Sequence, residues 1–436
     1  MNTTIETLKT RVARTTAPHI IETIAAAEMI SSATLEQGLA DGSIILLPDR
    51  QRSRFVGIGG ALTTKVNANV GTSVECPDYP SVLKKAKIAA SAGADTLMDL
   101  STVGFDGGLD FGSGIYQVAE ISGLPVGTVP VYEAVRRGMA RSRSQRVELD
   151  GQEMLDVVAN QAAHGSVYMA IHVGMNRRTL EIWRKSPRNI VSKGGYITAE
   201  YMLTTGKENP FYERFDDLLG VLKKHDVVLN IGSALRSGST RFNDEAQLAE
   251  LECATELADL ANAQGVQAVI EGPGHVPFGH IQEMVAYQRR MTGDRPYFIL
   301  GFMTTDAFTG WDHIVSAIGA TEAVRHGVSW LCYITPAEHH RMPNDRDVKD
   351  GVMAARIAAH VGDCAKGQKR ALAIEEAHNN KGCLDPRARK QSCSICGEDF
   401  CPIQRLHNLR LSPYKDNPLP LQTLIPVASL QRSGSI

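Results

Sequence analysis

The chain has 436 residues, 43% of them apolar and 22% charged, with a formal net charge of −2. That length allows a large core and more than one domain, in a composition ordinary for a soluble globular protein. The near-neutral charge argues against a polyanion-binding surface and a nucleic-acid partner. No stretch approaches the ~20 apolar residues needed to span a bilayer, so no membrane partner is expected.

The opening Met1-Asn2-Thr3-Thr4-Ile5-Glu6 lacks a basic n-region and an apolar h-region, so a cytoplasmic protein is expected. Residues 1 to about 50 read as helices. Leu8 to Glu28 carries apolar residues at helical spacing, broken at Pro18, and Ser32-Ala33-Thr34-Leu35-Glu36 offers a helix start with Gly42 as its stop. A small helical N-terminal domain over 1–54 follows, with Pro48 to Arg54 as a polar, basic link.

From Thr64 the pattern changes. Short apolar runs at Thr64–Val70, Ala94–Leu100, Pro125–Tyr132, Val167–Val173, Arg188–Ser192, Val227–Ile231, Gln267–Ile270, Tyr297–Phe302 and Val328–Ile334 alternate with amphipathic stretches. The latter include Ser81–Ala92, Gly151–His164, Asp244–Ala263 (capped by Asn243) and Arg346–His360. Strand–helix alternation implies parallel strands with helical crossovers. The absence of GxGxxG after the first strand favours a (β/α)8 barrel over an open dinucleotide-binding sheet. Nine runs compete for eight places, and Arg188–Ser192, the weakest in pattern, reads as a loop or an extra strand. The barrel is assigned to 55–362.

After about residue 362 the alternation stops. Region 363–436 reads as a helical segment, Ala371–His378, followed by a cysteine loop and a Pro- and Ser-containing tail. Of eight cysteines, Cys393, Cys396 and Cys401 cluster as C-x2-C-x4-C, with Gly397 and Pro402 shaping the turn. In a reducing compartment such a cluster argues for metal or redox use rather than disulfides. Three thiolates suit an iron–sulfur cluster with one open iron. The competing reading is structural zinc, which normally takes four protein ligands.

In a barrel of this class the site lies at the C-terminal strand ends, and those ends are polar here. They include Asn69, Met98 with Asp99, Tyr132, His172, Ser233 with Arg236, Glu271, and Glu338-His339-His340. One such end means little, but eight converging on one mouth are hard to explain by packing, because buried polar groups without partners are costly. His275 follows a Gly-Pro-Gly turn and His339 closes the last run. The pair could share a divalent metal or be hydrogen-bonded separately, and Glu338 and His340 are alternative ligands. Glu271 suits a ligand, a general base or a substrate contact. Lys193 beside Gly194-Gly195, and Arg236 before Ser237-Gly238-Ser239, suit a phosphate.

These residues fall in stretches that resemble the radical S-adenosylmethionine enzymes of the phosphomethylpyrimidine synthase family. The stretches are Lys65–Gly71, Asp95–Thr102, Val126–Tyr132, Ile171–Gly174, Asn243–Gln247, Glu271–Pro277, Leu331–Asn344 and Cys393–Cys401. They run in order from about residue 60 to 402. The resemblance implies a lyase of the carbon–carbon type. Cys393, Cys396 and Cys401 would ligate a [4Fe–4S] cluster open to S-adenosylmethionine, and His275 and His339 would hold zinc or iron. Asn69, Met98, Tyr132, His172, Ser192, Lys193, Gly194, Arg236 and Glu271 match substrate-contact positions. Glu271 and His172 are the candidates for proton transfer. The implied partners are 5-aminoimidazole ribotide, an external electron donor and a second copy in a homodimer.

The sequence also departs from the family's pyrimidine-forming pattern. Ser233-Ala234-Leu235-Arg236-Ser237-Gly238 stands where Asp-Gly-Leu-Arg-Pro-Gly is usual, and Phe298 replaces a Tyr. Phe302-Met303, Phe308 to His313, and Glu398-Asp399 in the cysteine loop differ as well. A carboxylate and a phenol are lost at Ser233 and Phe298, both counted among the substrate contacts, while the cluster and metal ligands are kept. The expected outcome is the same radical start on the same ribotide with a different rearrangement, to 5-hydroxybenzimidazole for the cobalamin lower ligand. The thiamine pyrimidine is the alternative product. A metal-dependent hydrolase barrel with structural zinc, or an inactive regulatory barrel, are the readings from other classes.

Overall fold

The computed structural model describes residues 18–142, 147–241, 244–379, 396–402 and 405. They fall into two compact units that divide at residues 368 and 369.

The N-terminal stretch is not wholly helical. Helices Pro18–Glu28 and Ser32–Asp41 are followed by β1 (Ile44–Pro48) and β2 (Phe55–Gly59), which pair antiparallel. The expected link at 48–54 is the turn of this hairpin, closed by Ser53 N–H and Oγ donating to the Asp49 carboxylate. Each strand is a short apolar run, which periodicity cannot separate from a buried helical turn. The hairpin is fixed to the barrel by Leu46 N–H donating to Gln267 Oε1 at 2.8 Å.

Eight parallel strands close the barrel in chain order: β3 (Lys65–Val70), β4 (Thr96–Asp99), β5 (Val126–Thr128), β6 (Ser166–Ile171), β7 (Val228–Ile231), β8 (Ala268–Glu271), β9 (Tyr297–Ile299) and β10 (Trp330–Cys332). The expected (β/α)8 barrel is therefore present. Arg188–Ser192 forms no strand; Ser192 instead caps helix Lys193–Thr205 by accepting from Gly195 N–H. The third run ends at Thr128 because Pro130 opens helix Pro130–Ser142, where its fixed φ suits a first turn. Tyr132 thus sits on a helix rather than a strand. The cap of helix Glu245–Ala263 is Asp244, which accepts from Gln247 N–H. The expected cap, Asn243, lies outside the described residues.

The barrel interior holds a buried polar layer with its partners supplied. Tyr168 Oη donates to Asn67 Oδ1 at 2.7 Å and Leu97 C=O at 2.6 Å. Thr96 Oγ1 donates to Asn67 Oδ1 at 3.0 Å and accepts from Trp330 Nε1 at 3.2 Å. Trp330 stacks on Phe298 with centroids 4.2 Å apart and meets Tyr168 edge-on at 5.0 Å. Gly127 lets this happen, since a Cβ there would lie 2.2 Å from the Tyr168 ring.

The other end of the barrel is closed by charge. Lys65, at the start of β3, forms a buried ion pair with Glu28 of the first helix at 3.1 Å. Breaking a buried pair leaves an uncompensated charge, so Lys65→Met is expected to cost about 3–5 kcal/mol, read as a lower urea midpoint.

The second unit contains helix Lys369–Asn379 and the short helix Gly397–Phe400, flanked by Cys396 and Cys401. Cys393 lies outside the described residues.

Candidate active site

The C-terminal ends of the strands surround an open cleft with about 550 Å³ of empty space, its solvent-facing part included. Eight of the expected residues line it together: Asn69, Met98, Tyr132, His172, Ser192, Arg236, Glu271 and Phe298. Lys193, exposed at the first turn of its helix, holds Nζ 5.4 Å from the Tyr132 ring centre. Asn69 is anchored from below, because its Oδ1 accepts from Asn67 Nδ2 at 2.9 Å and its Nδ2 reaches Cys332 Sγ at 3.0 Å.

His172 is enclosed. Ser192 Oγ lies 3.1 Å from its Nε2, while Nδ1 is buried without a partner among the described residues. Gly194 is required beside it, since a Cβ at 194 would come within 2.1 Å of the imidazole. Burial, followed by the charge of Arg236, pushes the His172 pKa down to about 3. The ring is neutral at physiological pH and suits a hydrogen-bonding role, not an imidazolium acid. Its orphaned nitrogen matches a polar group on a bound molecule.

Glu271 ends β8 with both oxygens engaged. Oε1 accepts from Asn230 Nδ2 at 2.8 Å, and Oε2 accepts from Ser233 N–H at 3.0 Å with Arg236 3.6 Å away. Ser233 does not offer its hydroxyl to the same carboxylate; Oγ donates to Glu250 Oε2 at 3.0 Å. Glu250 also accepts from the N–H groups of Ala234 and Leu235. Burial is the largest influence on this carboxyl and raises its pKa to about 7. It holds the loop after β7, and no sequence signal marks it because it lies inside the helix that follows that loop.

The two histidines meet beside this mouth. The rings of His275 and His339 are centred 5.9 Å apart. His275 Nδ1 is bonded to Asp306 Oδ1 at 2.8 Å, and His339 Nδ1 to Asp312 Oδ1 at 2.7 Å. A carboxylate accepting from each Nδ1–H fixes the tautomer and leaves the Nε2 lone pair to act as a ligand, an arrangement common behind metal-bound histidines. Two neighbouring imidazoles, each backed by a carboxylate, are a donor set that suits a divalent metal. Neither aspartate could be matched to its histidine from spacing, because each sits about thirty residues away, Asp306 on a loop and Asp312 at the start of helix Asp312–Arg325.

A model of the Radical SAM ThiC family matches residues 7–382. The chain belongs to that family. It is 39% identical over 409 residues to a phosphomethylpyrimidine synthase of Thermus thermophilus, covering 87% of this chain and 92% of the relative. The corresponding enzyme of Methanoculleus marisnigri is 40% identical over 405 residues, covering 87% and 94%. A 5-hydroxybenzimidazole synthase of Geobacter sulfurreducens is 39% identical over 405 residues, covering 87% and 92%. Family membership makes the chain a radical enzyme that uses S-adenosylmethionine and an iron–sulfur cluster, which sets aside the hydrolase reading. No helix among the described residues is long and apolar enough to cross a membrane.

The His172 environment predicts a pH signature. Its folded pKa, near 3, lies below the unfolded value of about 6.5, so between these the unfolded chain binds more protons and stability falls as pH drops. Relative to His172→Gln, the unsubstituted protein should lose about 2 kcal/mol more on going from pH 7.5 to 5. Urea denaturation at both pH values measures the difference.

Proposed function

We propose that the chain converts 5-aminoimidazole ribotide to 5-hydroxybenzimidazole, the base of a cobalamin lower ligand, by a radical rearrangement. Positions 233 and 298 carry this reading. The relatives divide between two products at equal identity, so overall similarity does not select one. At the cavity, the Ser233 hydroxyl turns away to Glu250, and Phe298 presents a bare ring stacked on Trp330. Neither supplies the carboxylate or phenol that the resemblance associates with the pyrimidine product. The phosphomethylpyrimidine is the second reading, supported by relatives that bear that name at 39% and 40% identity.

The ribotide phosphate would be taken by Arg236, Lys193 and the first N–H groups of helix Lys193–Thr205, where dipole and free donors favour an anion. His172 Nδ1 would meet a polar group of the substrate as a neutral partner. Asn69, Met98 and Tyr132 would shape the wall, and Glu271 would accept a proton during ring rebuilding. Phe298 and Met98, both buried, would keep water from the reacting carbons. His275 and His339 would hold zinc or iron through Nε2, placing the methionine part of S-adenosylmethionine. Cys393, Cys396 and Cys401 would hold the cluster. When bound and reduced by an external donor, the [4Fe–4S] cluster with S-adenosylmethionine supplies the 5′-deoxyadenosyl radical that starts the reaction. The working form in this reading is a cytoplasmic homodimer.

Two outcomes test the assignment. Anaerobic incubation of reduced protein with 5-aminoimidazole ribotide and S-adenosylmethionine should yield 5-hydroxybenzimidazole, identified by mass, and a phosphorylated pyrimidine would overturn the choice of product. Replacing Cys393, Cys396 or Cys401 singly with Ala should abolish 5′-deoxyadenosine formation; undiminished cleavage in any of these variants would remove that residue from the cluster.

A further inference from the structure

Asp306 joins two parts of the site that the chain keeps far apart. Its Oδ1 accepts from His275 Nδ1 at 2.8 Å. Its Oδ2 accepts from Ser239 Oγ at 2.9 Å, and from Thr240 N–H and Thr240 Oγ1, each at 3.0 Å. Ser239 and Thr240 belong to the loop that leaves β7 and carries Arg236. The path between them is stiff: Ser237 Oγ donates to Ser239 C=O at 2.6 Å and accepts from Ser239 N–H at 3.2 Å. Ser237 N–H is held by Gln247 Oε1 at 3.2 Å, and Arg188 donates to Arg236 C=O at 3.3 Å. A shift of the carboxylate therefore moves the histidine and the arginine's loop together.

Among the described residues the other histidine has no such link. Asp312 accepts from His339 Nδ1 at 2.7 Å and, with its second oxygen, from Gly310 N–H at 2.8 Å. Both of those oxygens serve orientation of His339 and the turn just before Asp312. The two aspartates do the same service for their rings, but only Asp306 reaches a substrate loop. Asp306 is 38% exposed, so its rotamer is set by these four bonds more than by packing. An Asn of the same shape opens no core cavity but cannot accept with the nitrogen end.

We propose that Asp306 is a positioning residue that couples metal binding at His275 to the grip of Arg236 on the phosphorylated substrate. The inference rests on the reading that His275 and His339 hold a divalent metal. Each ligand should then strengthen the other, as coupled binding requires. Metal bound at Nε2 fixes the His275 ring, which fixes Asp306, which fixes the Ser239–Thr240 end of the loop.

The test uses full-length, unreduced protein stripped with a chelator, with 5-aminoimidazole ribotide titrated by calorimetry in the absence and presence of saturating Zn²⁺. The unsubstituted protein should bind the ribotide on the order of 5- to 10-fold more tightly with Zn²⁺ present. Asp306→Asn should bring that ratio to about 1, whereas Asp312→Asn should keep it. Competition with a chromophoric chelator should show Zn²⁺ affinity lowered about 10- to 100-fold in both variants. Melting temperatures within a few degrees of the parent show that both fold. A ratio of 1 in the parent, or an unchanged ratio in Asp306→Asn with Zn²⁺ affinity lowered, overturns the coupling alone. Zn²⁺ bound equally well by His275→Ala overturns the metal reading, and the coupling with it.

Discussion

Phe298 and Trp330 stack face to face at 4.2 Å in the middle of the barrel, and the site is built on that floor. Trp330 can sit there because its indole N–H finds Thr96 and its edge meets Tyr168, so a large aromatic is buried with its polar atom satisfied. Asn67 gathers Tyr168 and Thr96 below and reaches Asn69 above. The cavity wall is thus continuous with a fully partnered interior layer. Buried networks of this kind rigidify when every member is satisfied, which suits a site that has to hold a reactive substrate in one orientation.

The same floor gives the substitution at 298 its meaning. A phenyl ring pressed on an indole has its position fixed by packing and has no hydroxyl to extend into the cavity. Ser233 is fixed differently, by the buried carboxyl of Glu250, which draws the hydroxyl away from Glu271. Both positions are therefore quiet toward the substrate, for separate reasons. Arg236, Glu271 and His172 keep the polar character of the mouth. In the proposed reading, a retained anion- and metal-binding frame is combined with changed chemistry near the reacting ring.

Electrostatic organisation of the mouth follows a repeated device, in which a carboxylate stands behind the group that acts. Asp306 and Asp312 stand behind the histidines, and Glu250 holds the backbone of the loop that carries Arg236. His172 is the exception. It has a hydroxyl on one nitrogen and no partner among the described residues on the other, and burial keeps it neutral.

Much of this was legible in the chain. The alternation of short apolar runs with amphipathic stretches determined the barrel, because periodicity and burial are properties of neighbouring residues. The polar strand ends pointed to the mouth, since that fold places them there whatever their chemistry. Local pattern is ambiguous for short elements: the N-terminal pattern reads as helix to about residue 50 where β1 stands, and Tyr132 reads as the end of a strand although Pro130 starts a helix. The pairing of His275 with Asp306 and of His339 with Asp312, the turning of Ser233 toward Glu250, and the isolation of His172 Nδ1 were decided only by tertiary structure. Each depends on loops and helices from different barrel units meeting in space, and sequence spacing carries no record of that meeting.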